Sequence, residues 1–200
     1  MSDTICKKGK IFIISGPSGV GKSTICKKLV DRFDDVFLSV SVTTRPKSEA
    51  ETDGKDYWFV SEEEFRDRIN KGLLLEYAEV FGHKYGTPKD KVDEMLEAGK
   101  SVILEIDVQG AKQIKAVYSE AVMIFILPPS AKVLAERMKN RGRDADESVE
   151  IRLNGASTEI AAAWQYYEHM VVNEDLQQAE NECVDIINQI RAKGSASEKS

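Results

Sequence analysis

The sequence predicts an α/β protein: a parallel sheet of about five strands with helices on both faces, interrupted by an inserted α+β subdomain and a short charged lid. Three observations carry this. Short apolar runs alternate with helical patterns along most of the chain, the first run stops at a glycine-rich turn, and the alternation changes character between Arg45 and Gly86.

Lys10–Ser15 (KIFIIS) reads as a buried strand, because a short continuous apolar run bounded by a turn signal has no solvent face. Thr24–Arg32 follows with helical spacing of Ile25, Leu29 and Phe33. Val36–Val42, Ser101–Ile106 and Ala121–Leu127 read as further buried strands, with His169–Val172 a shorter one. Within the insert, Tyr57–Val60 and Leu73–Val80 are strand-like and flank a helix opened by Ser61, with Glu64 completing a capping-box pattern. Thr87 and Pro88 predict the next helix start, with threonine as cap and proline at the first helical position. Ser130–Asn140 is helical in pattern, Asn140–Glu147 is a densely charged loop, and 194–200 (GSASEKS) reads as a frayed tail. The expected organisation is a core of residues 1–40 and 89–200, an insert at 41–88, and a lid near 137–152.

Composition narrows the function classes. The 200 residues are 42% apolar and 31% charged, enough for one real core, and 34 acidic against 28 basic groups leave a net charge of −6. That balance argues against nucleic acid as a partner while leaving room for a local cationic pocket. The three cysteines, Cys6, Cys26 and Cys183, are widely spaced and accompanied by two histidines, so neither a disulfide framework nor a zinc site is expected. No apolar run reaches the ~18–20 residues of a membrane span, and the N-terminus lacks a secretory pattern. A cytoplasmic location with no membrane partner is the expectation.

Gly16-Pro17-Ser18-Gly19-Val20-Gly21-Lys22-Ser23 fits G-x-x-x-x-G-K-[ST] and lies between a predicted strand and a predicted helix, where a phosphate loop must lie. The core is therefore of the P-loop NTPase type. Glycines let the backbone aim N–H groups at phosphate oxygens, and the helix N-terminus through Thr24 adds positive potential. Lys22 offers a charge to the β- and γ-phosphates, and Ser23 a hydroxyl to Mg²⁺ that otherwise keeps its waters. Such loops serve kinases, ATPases and GTPases alike, but the chain has no guanine-reading Asn-Lys-x-Asp segment of a GTPase. Asp107, at the end of a predicted strand, is a candidate second acidic group near the metal, against ordinary solvation of a strand end.

Further motifs follow in order: Ser39–Pro46 (SVSVTTRP), Gly54–Ser61 (GKDYWFVS), Leu75–Ala78 (LEYA), Tyr85–Pro88 (YGTP) and Leu104–Gly110 (LEIDVQG). Together with the phosphate loop they resemble the guanylate kinase family over residues 10 to 187, nearly the whole chain. The resemblance implies an enzyme that transfers the γ-phosphoryl group of ATP to GMP with Mg²⁺, as a monomer or weak homo-oligomer. It implies a GMP site of Ser41, Arg45, Tyr57, Glu76, Tyr85, Thr87 and Asp107. The chemistry agrees. Arg45 can fork onto a phosphate dianion, Tyr57 and Tyr85 add hydroxyls, and Glu76 can accept the N1–H and N2–H₂ donors that guanine has and adenine lacks. In the family the lid carries residues matching Arg137, Arg141 and Arg152, which meet ATP or the transferring group. Asn173 falls near the adenine. Lys22, Arg45, Arg141 and Arg152 are thus the expected catalytic cations, and Gly16–Thr24 with Arg137, Arg141 and Asn173 the ATP site.

The chain departs from the family pattern at one place. A second arginine usually stands three residues after the first; here that position is Ser48, with Lys47 beside it, and Ala50 replaces a glycine before Glu51. A kinase of another small phosphate ester on the same fold is one alternative. A catalytically inactive interaction module is the other, although such modules typically lack a complete phosphate loop.

Overall fold

The computed structural model describes residues 9–140 and 146–196. In chain order the first elements are β1 (Ile11–Ser15), α1 (Lys22–Arg32), β2 (Val36–Leu38), β3 (Val42–Thr43), β4 (Trp58–Phe59), α2 (Glu62–Asn70), β5 (Leu74–Val80) and β6 (His83–Pro88). Then come α3 (Lys89–Glu97), β7 (Ser101–Glu105), α4 (Val108–Val117), β8 (Val122–Leu127), α5 (Ala131–Asn140), α6 (Asp146–Tyr166), β9 (His169–Val172) and α7 (Leu176–Ala196). A five-stranded sheet runs in the order β2-β7-β1-β8-β9, and a four-stranded sheet in the order β4-β3-β6-β5. The chain divides into two compact units, one of residues up to Ile13 with Asp35–Ala121, the other of Ile14–Asp34 with residues from Val122 onward.

In the first unit β2 pairs with β7 in parallel, Val36 opposite Ser101. Val102, Ile103 and Leu104 are buried without alternation, as a strand covered on both faces must be. Val92 and Leu96 of α3 and Ala111 and Ile114 of α4 are buried apolar positions at helical spacing. The Val36–Val42 run, read from sequence as one strand, is two. Ser39 N–H still donates to Ile103 O, but Val42 and Thr43 pair instead with Gly86 and Tyr85 in the smaller sheet. An apolar run states that both stretches are buried and says nothing of which ladder each joins.

β5 and β6 form a hairpin that the sequence reading did not contain, since HKYGTP has no apolar alternation. Its turn is Phe81-Gly82, at φ 50° and 77°, the left-handed pair that matches strand twist in a two-residue hairpin. The far edge of β5 is covered by α4: the Gln113 side-chain amide donates to Tyr77 O at 2.8 Å and accepts from Tyr77 N–H at 3.3 Å, standing in for a neighbouring strand.

The α2 start is as expected, with Ser61 Oγ accepting the Glu64 N–H at 3.1 Å. The α3 start is not. Pro88 is the last residue of β6 and occupies the N-cap position, and no side chain caps the helix. Lys89 N–H is already taken by Leu73 O, and the Thr87 hydroxyl is turned to the buried Glu76 carboxylate, to which it donates, instead of accepting a helix N–H.

In the second unit β8 pairs with β9 in parallel, Ile124 opposite His169. Met123, Ile124, Phe125 and Ile126 are buried, with Phe125 edge-on to Tyr167 at 5.1 Å. α1 and α7 are joined by Glu180, buried, which accepts from Lys28 at 2.7 Å and lies 3.7 Å from Arg32 Nε. Cys26 and Cys183 are buried, and neither is in a disulfide. α6 begins at Asp146, inside the stretch expected as a loop, and α7 continues to Ala196, into the stretch expected as tail. No helix among the described residues is long and apolar enough to cross a membrane.

Candidate active site

The phosphate loop spans the end of β1 and the start of α1, as its motif requires. Gly16 and Gly21 show why glycine stands there. A Cβ on Gly16 would run into the Ile126 carbonyl, and one on Gly21, at φ 106°, would lie 2.5 Å from Asn173 Nδ2. The Lys22 ammonium folds over the loop, donating to Gly16 O at 2.6 Å and Pro17 O at 3.0 Å. Val20 is buried and its N–H donates to Pro17 O, closing the turn. Gly19 packs against Met138 of α5, to which an added Cβ would come within 3.3 Å.

Of the residues expected from the lid and the ATP side, Asn173 and Arg152 meet this loop and Arg137 meets Asn173. Asn173 is buried; its Nδ2 donates to Val20 O at 2.7 Å and its N–H to Leu127 O at 2.8 Å. Its Oδ1 is buried without a partner. The Arg137 guanidinium donates to Asn173 O at 3.1 Å, and Arg152 reaches Ser18 Oγ at 3.4 Å. Arg141 lies outside the described residues. Ser23 and Thr24 occupy the first turn of α1. Ser23 offers one hydroxyl there, which suits a hard cation that keeps waters and takes its other oxygens from a polyphosphate.

The smaller sheet presents one buried face. Residues opposite one another in an antiparallel pair share a face, so the pairs Thr43–Tyr85, Ala78–Tyr85 and Glu76–Thr87 place these side chains together. Thr43, Thr87, Glu76 and Ala78 are buried, while Tyr77, between two of them, is 48% exposed. Two clusters are built on this face.

The first surrounds Arg45. Its guanidinium donates to both carboxylate oxygens of Glu51, Nη2 to Oε1 at 2.7 Å and Nη1 to Oε2 at 3.1 Å, and Nη1 also donates to Pro46 O. It stacks 5.4 Å from the centre of the Tyr57 ring and 5.7 Å from that of Phe59, and Tyr57 meets Tyr85 edge-on at 5.9 Å. Burial, and then the Glu105 carboxylate, push the Tyr57 hydroxyl well above its ordinary range, so it remains a hydrogen-bond donor. Ser48 gives both its N–H and its hydroxyl to Glu51 Oε2, at 3.0 and 2.8 Å, and Lys47 donates to Glu51 O. Burial alone would raise the Glu51 carboxyl; Arg45 and Ser48 outweigh it and hold the group at about 2. Arg45 is correspondingly raised, first by its bond to Glu51. Lys47 thus stays on the loop backbone, and Ser48 supports a carboxylate rather than supplying a second cation.

The second cluster surrounds Glu76. Thr87 Oγ1 donates to Glu76 Oε1 at 2.6 Å. Burial raises the carboxyl to about 7; the Thr87 hydroxyl pulls it down and the nearby Asp107 charge pushes it up. Asp107 is the N-cap of α4, accepting the Gly110 N–H on Oδ1 at 3.0 Å and the Gln109 amide on Oδ2 at 3.0 Å. Ser41 is half-buried just before β3, its carbonyl accepting the Trp58 N–H.

A chain with a phosphate loop in one part and, in another, a forked cation beside phenols and a buried, partly desolvated carboxylate has the parts for a phosphorylated base. The family model described as guanylate kinase matches residues 8–190. The chain belongs to the guanylate kinase family. It is 46% identical over 186 residues to a guanylate kinase of Thermotoga maritima, covering 93% of this chain and 89% of that protein. It is 48% identical over 189 residues to one of Neisseria gonorrhoeae, covering 94% and 92%. The crystal structure of guanylate kinase from Anaplasma phagocytophilum superposes with a TM-score of 0.76 at 36% identity, covering 94% of this chain and 87% of that one.

Several residues that shape this candidate site carry no signal in the sequence of this guanylate kinase family member. Glu51, the partner of Arg45, lies in a loop where an isolated acidic residue carries no local signal. Thr43 carries no sequence signal of a site role; its Oγ accepts the Arg45 N–H at 3.1 Å and donates to Lys84 O, fixing where Arg45 leaves the strand. Asp107 was identified as acidic and near the site, but its capping of α4 depends on where that helix starts.

Proposed function

We propose that this protein binds ATP on the phosphate loop and GMP on the buried face of the smaller sheet, and catalyses transfer of the γ-phosphoryl group to the GMP phosphate, giving ADP and GDP. The observation that carries the guanine assignment is the Glu76 carboxylate, buried with one oxygen bonded to Thr87 and beside Asp107. Guanine presents two adjacent donors to such an acceptor, whereas adenine would place its N1 acceptor against it, leaving a buried charge unpaired.

The roles of the other residues follow from their chemistry. Arg45, held out by Glu51 and flanked by Tyr57 and Tyr85, grips the GMP phosphate. Ser41, Thr87 and Asp107 complete the base site. Lys22 exchanges the carbonyls of its own loop for the β- and γ-phosphate oxygens. The backbone of Gly16–Thr24 cradles the polyphosphate, with Arg137, Arg141 and Arg152 as further cations. Asn173 supports the loop from beneath through Val20 O, a placement that suits bracing the ATP site at least as well as touching the adenine. Ser23 with water would hold Mg²⁺, which supplies charge neutralisation for the polyphosphate. An oxygen of the GMP phosphate attacks the γ-phosphorus in line, ADP leaves, and no general base is needed because the acceptor is already an anion. The buried thiols of Cys26 and Cys183, neither in a disulfide, suit a reducing cytoplasm.

The test is ADP release with ATP and, in turn, GMP, AMP, CMP and UMP. Turnover with GMP well above the others is expected; equal rates with AMP would sink the guanine assignment.

A further inference from the structure

Gly110, the third residue of α4, has helical backbone geometry and does not need to be glycine for its dihedral angles. Alanine is the better helix former, so the absence of a side chain calls for another reason. The reason lies across from it. A Cβ on Gly110 would come 2.9 Å from Glu76 Cδ and closer still to Oε2, nearer than side-chain packing allows, and 3.4 Å from Asp107 Oδ1. Something would have to move.

Neither backbone is free to do so. The first turn of α4 is held by Asp107, whose Oδ1 takes the Gly110 N–H and whose carbonyl takes the Ala111 N–H. The helix is tied to β5 at two further points, Gln109 to Glu79 O and Gln113 to both backbone groups of Tyr77. The Glu76 side chain is the part that can yield, and its other oxygen is engaged by Thr87. Displacing Oε2 therefore also turns Oε1.

We propose that Gly110 is a positioning residue for base selection: its missing side chain is the space in which the Glu76 carboxylate sits, and any larger residue there turns both oxygens away from the donors of the base. This rests on Glu76 as the guanine acceptor. Gly110 itself touches no substrate and acts through Glu76.

The experiment is a cycle of Gly110→Ala, Glu76→Ala and the double variant in the full chain, measuring KM for GMP and for ATP, kcat with GMP and AMP, and Tm. Gly110→Ala should raise the KM for GMP by about tenfold or more, leave that for ATP within about twofold, and narrow the GMP-over-AMP preference. The double variant should be no worse for GMP than Glu76→Ala alone, because removing the carboxylate empties the space that the methyl group fills. For the same reason its Tm should exceed that of Glu76→Ala, alanine being favoured over glycine in the helix. Should Gly110→Ala fail to fold, the double variant should fold. A normal GMP KM in Gly110→Ala while Glu76→Ala is impaired would overturn the Gly110 assignment, as would losses that multiply in the double variant or a double variant that does not fold. An unchanged KM in Glu76→Ala would instead overturn the guanine reading beneath it.

Discussion

Thr87 and Glu76 face one another in register across the β5–β6 hairpin, the threonine hydroxyl 2.6 Å from Oε1 of the carboxylate. The bond explains two departures from local expectation at once: Thr87 does not cap α3, and a glutamate is tolerated at a buried strand position. Thr87→Val keeps the shape and removes the donor. It should cost about 1–3 kcal/mol of stability at alkaline pH, where the carboxylate is charged, and raise the KM for GMP, read by urea unfolding and steady-state kinetics.

Glu76 gives the protein a particular pH response. Its carboxyl ordinarily titrates at 4.5 and in the folded chain at about 7, so between these values the native state holds a proton that the unfolded state has released. Its contribution to stability is complete below pH 4.5 and is lost as pH rises to about 7. Glu76→Gln should flatten that part of a Tm-against-pH curve. Guanine's donors favour the charged form, so GMP binding below pH 7 should release a proton. Calorimetry in buffers of different ionisation enthalpy would show this, and an identical binding heat in all buffers would contradict it.

Glu51 behaves in the opposite sense. Held at about 2 against an ordinary 4.5, it contributes stability above pH 4.5 that disappears as pH falls toward 2. Glu51→Gln should shift acid unfolding to higher pH and release Arg45 from its forked contact, so that the KM for GMP rises while that for ATP stays level. Ser48→Ala removes a hydroxyl donated to the same carboxylate and should move both quantities the same way, by about 1 kcal/mol in stability.

Lys22→Ala should leave the fold intact and lower kcat by at least about a hundredfold, the scale of losing a charge aimed at the transferring group. Residual turnover close to that of the parent would argue against the phosphate-loop role.

Asn173 offers a contrast on the ATP side. Asn173→Asp replaces an amide donor by a carboxylate facing Val20 O, so it should raise the KM for ATP more than Asn173→Ala does, with the KM for GMP little changed in either. If both variants leave ATP binding untouched, the bracing role is wrong.

The phosphate loop was legible because its chemistry is local: the glycines, Lys22 and Ser23 are consecutive, and a strand before and a helix after are all the context they need. The ordered motifs made Arg45, Tyr57, Glu76 and Tyr85 legible in the same way, as residue types at recognisable spacings. What the sequence could not say is which group each of them meets. The Val36–Val42 run is divided between two sheets because hydrogen-bond ladders are chosen by partners more than forty residues away, at Tyr85, Gly86 and Ser101. Arg45 is aimed by Glu51, Ser48 and Thr43, and Glu76 is held by Thr87 on one side and given room by Gly110 on the other. Residue identity supplies a charge or a hydroxyl. Its direction, its partner and its proton are set by burial and by what the folded chain brings within about 3 Å, a distance over which desolvation and hydrogen bonding decide the outcome.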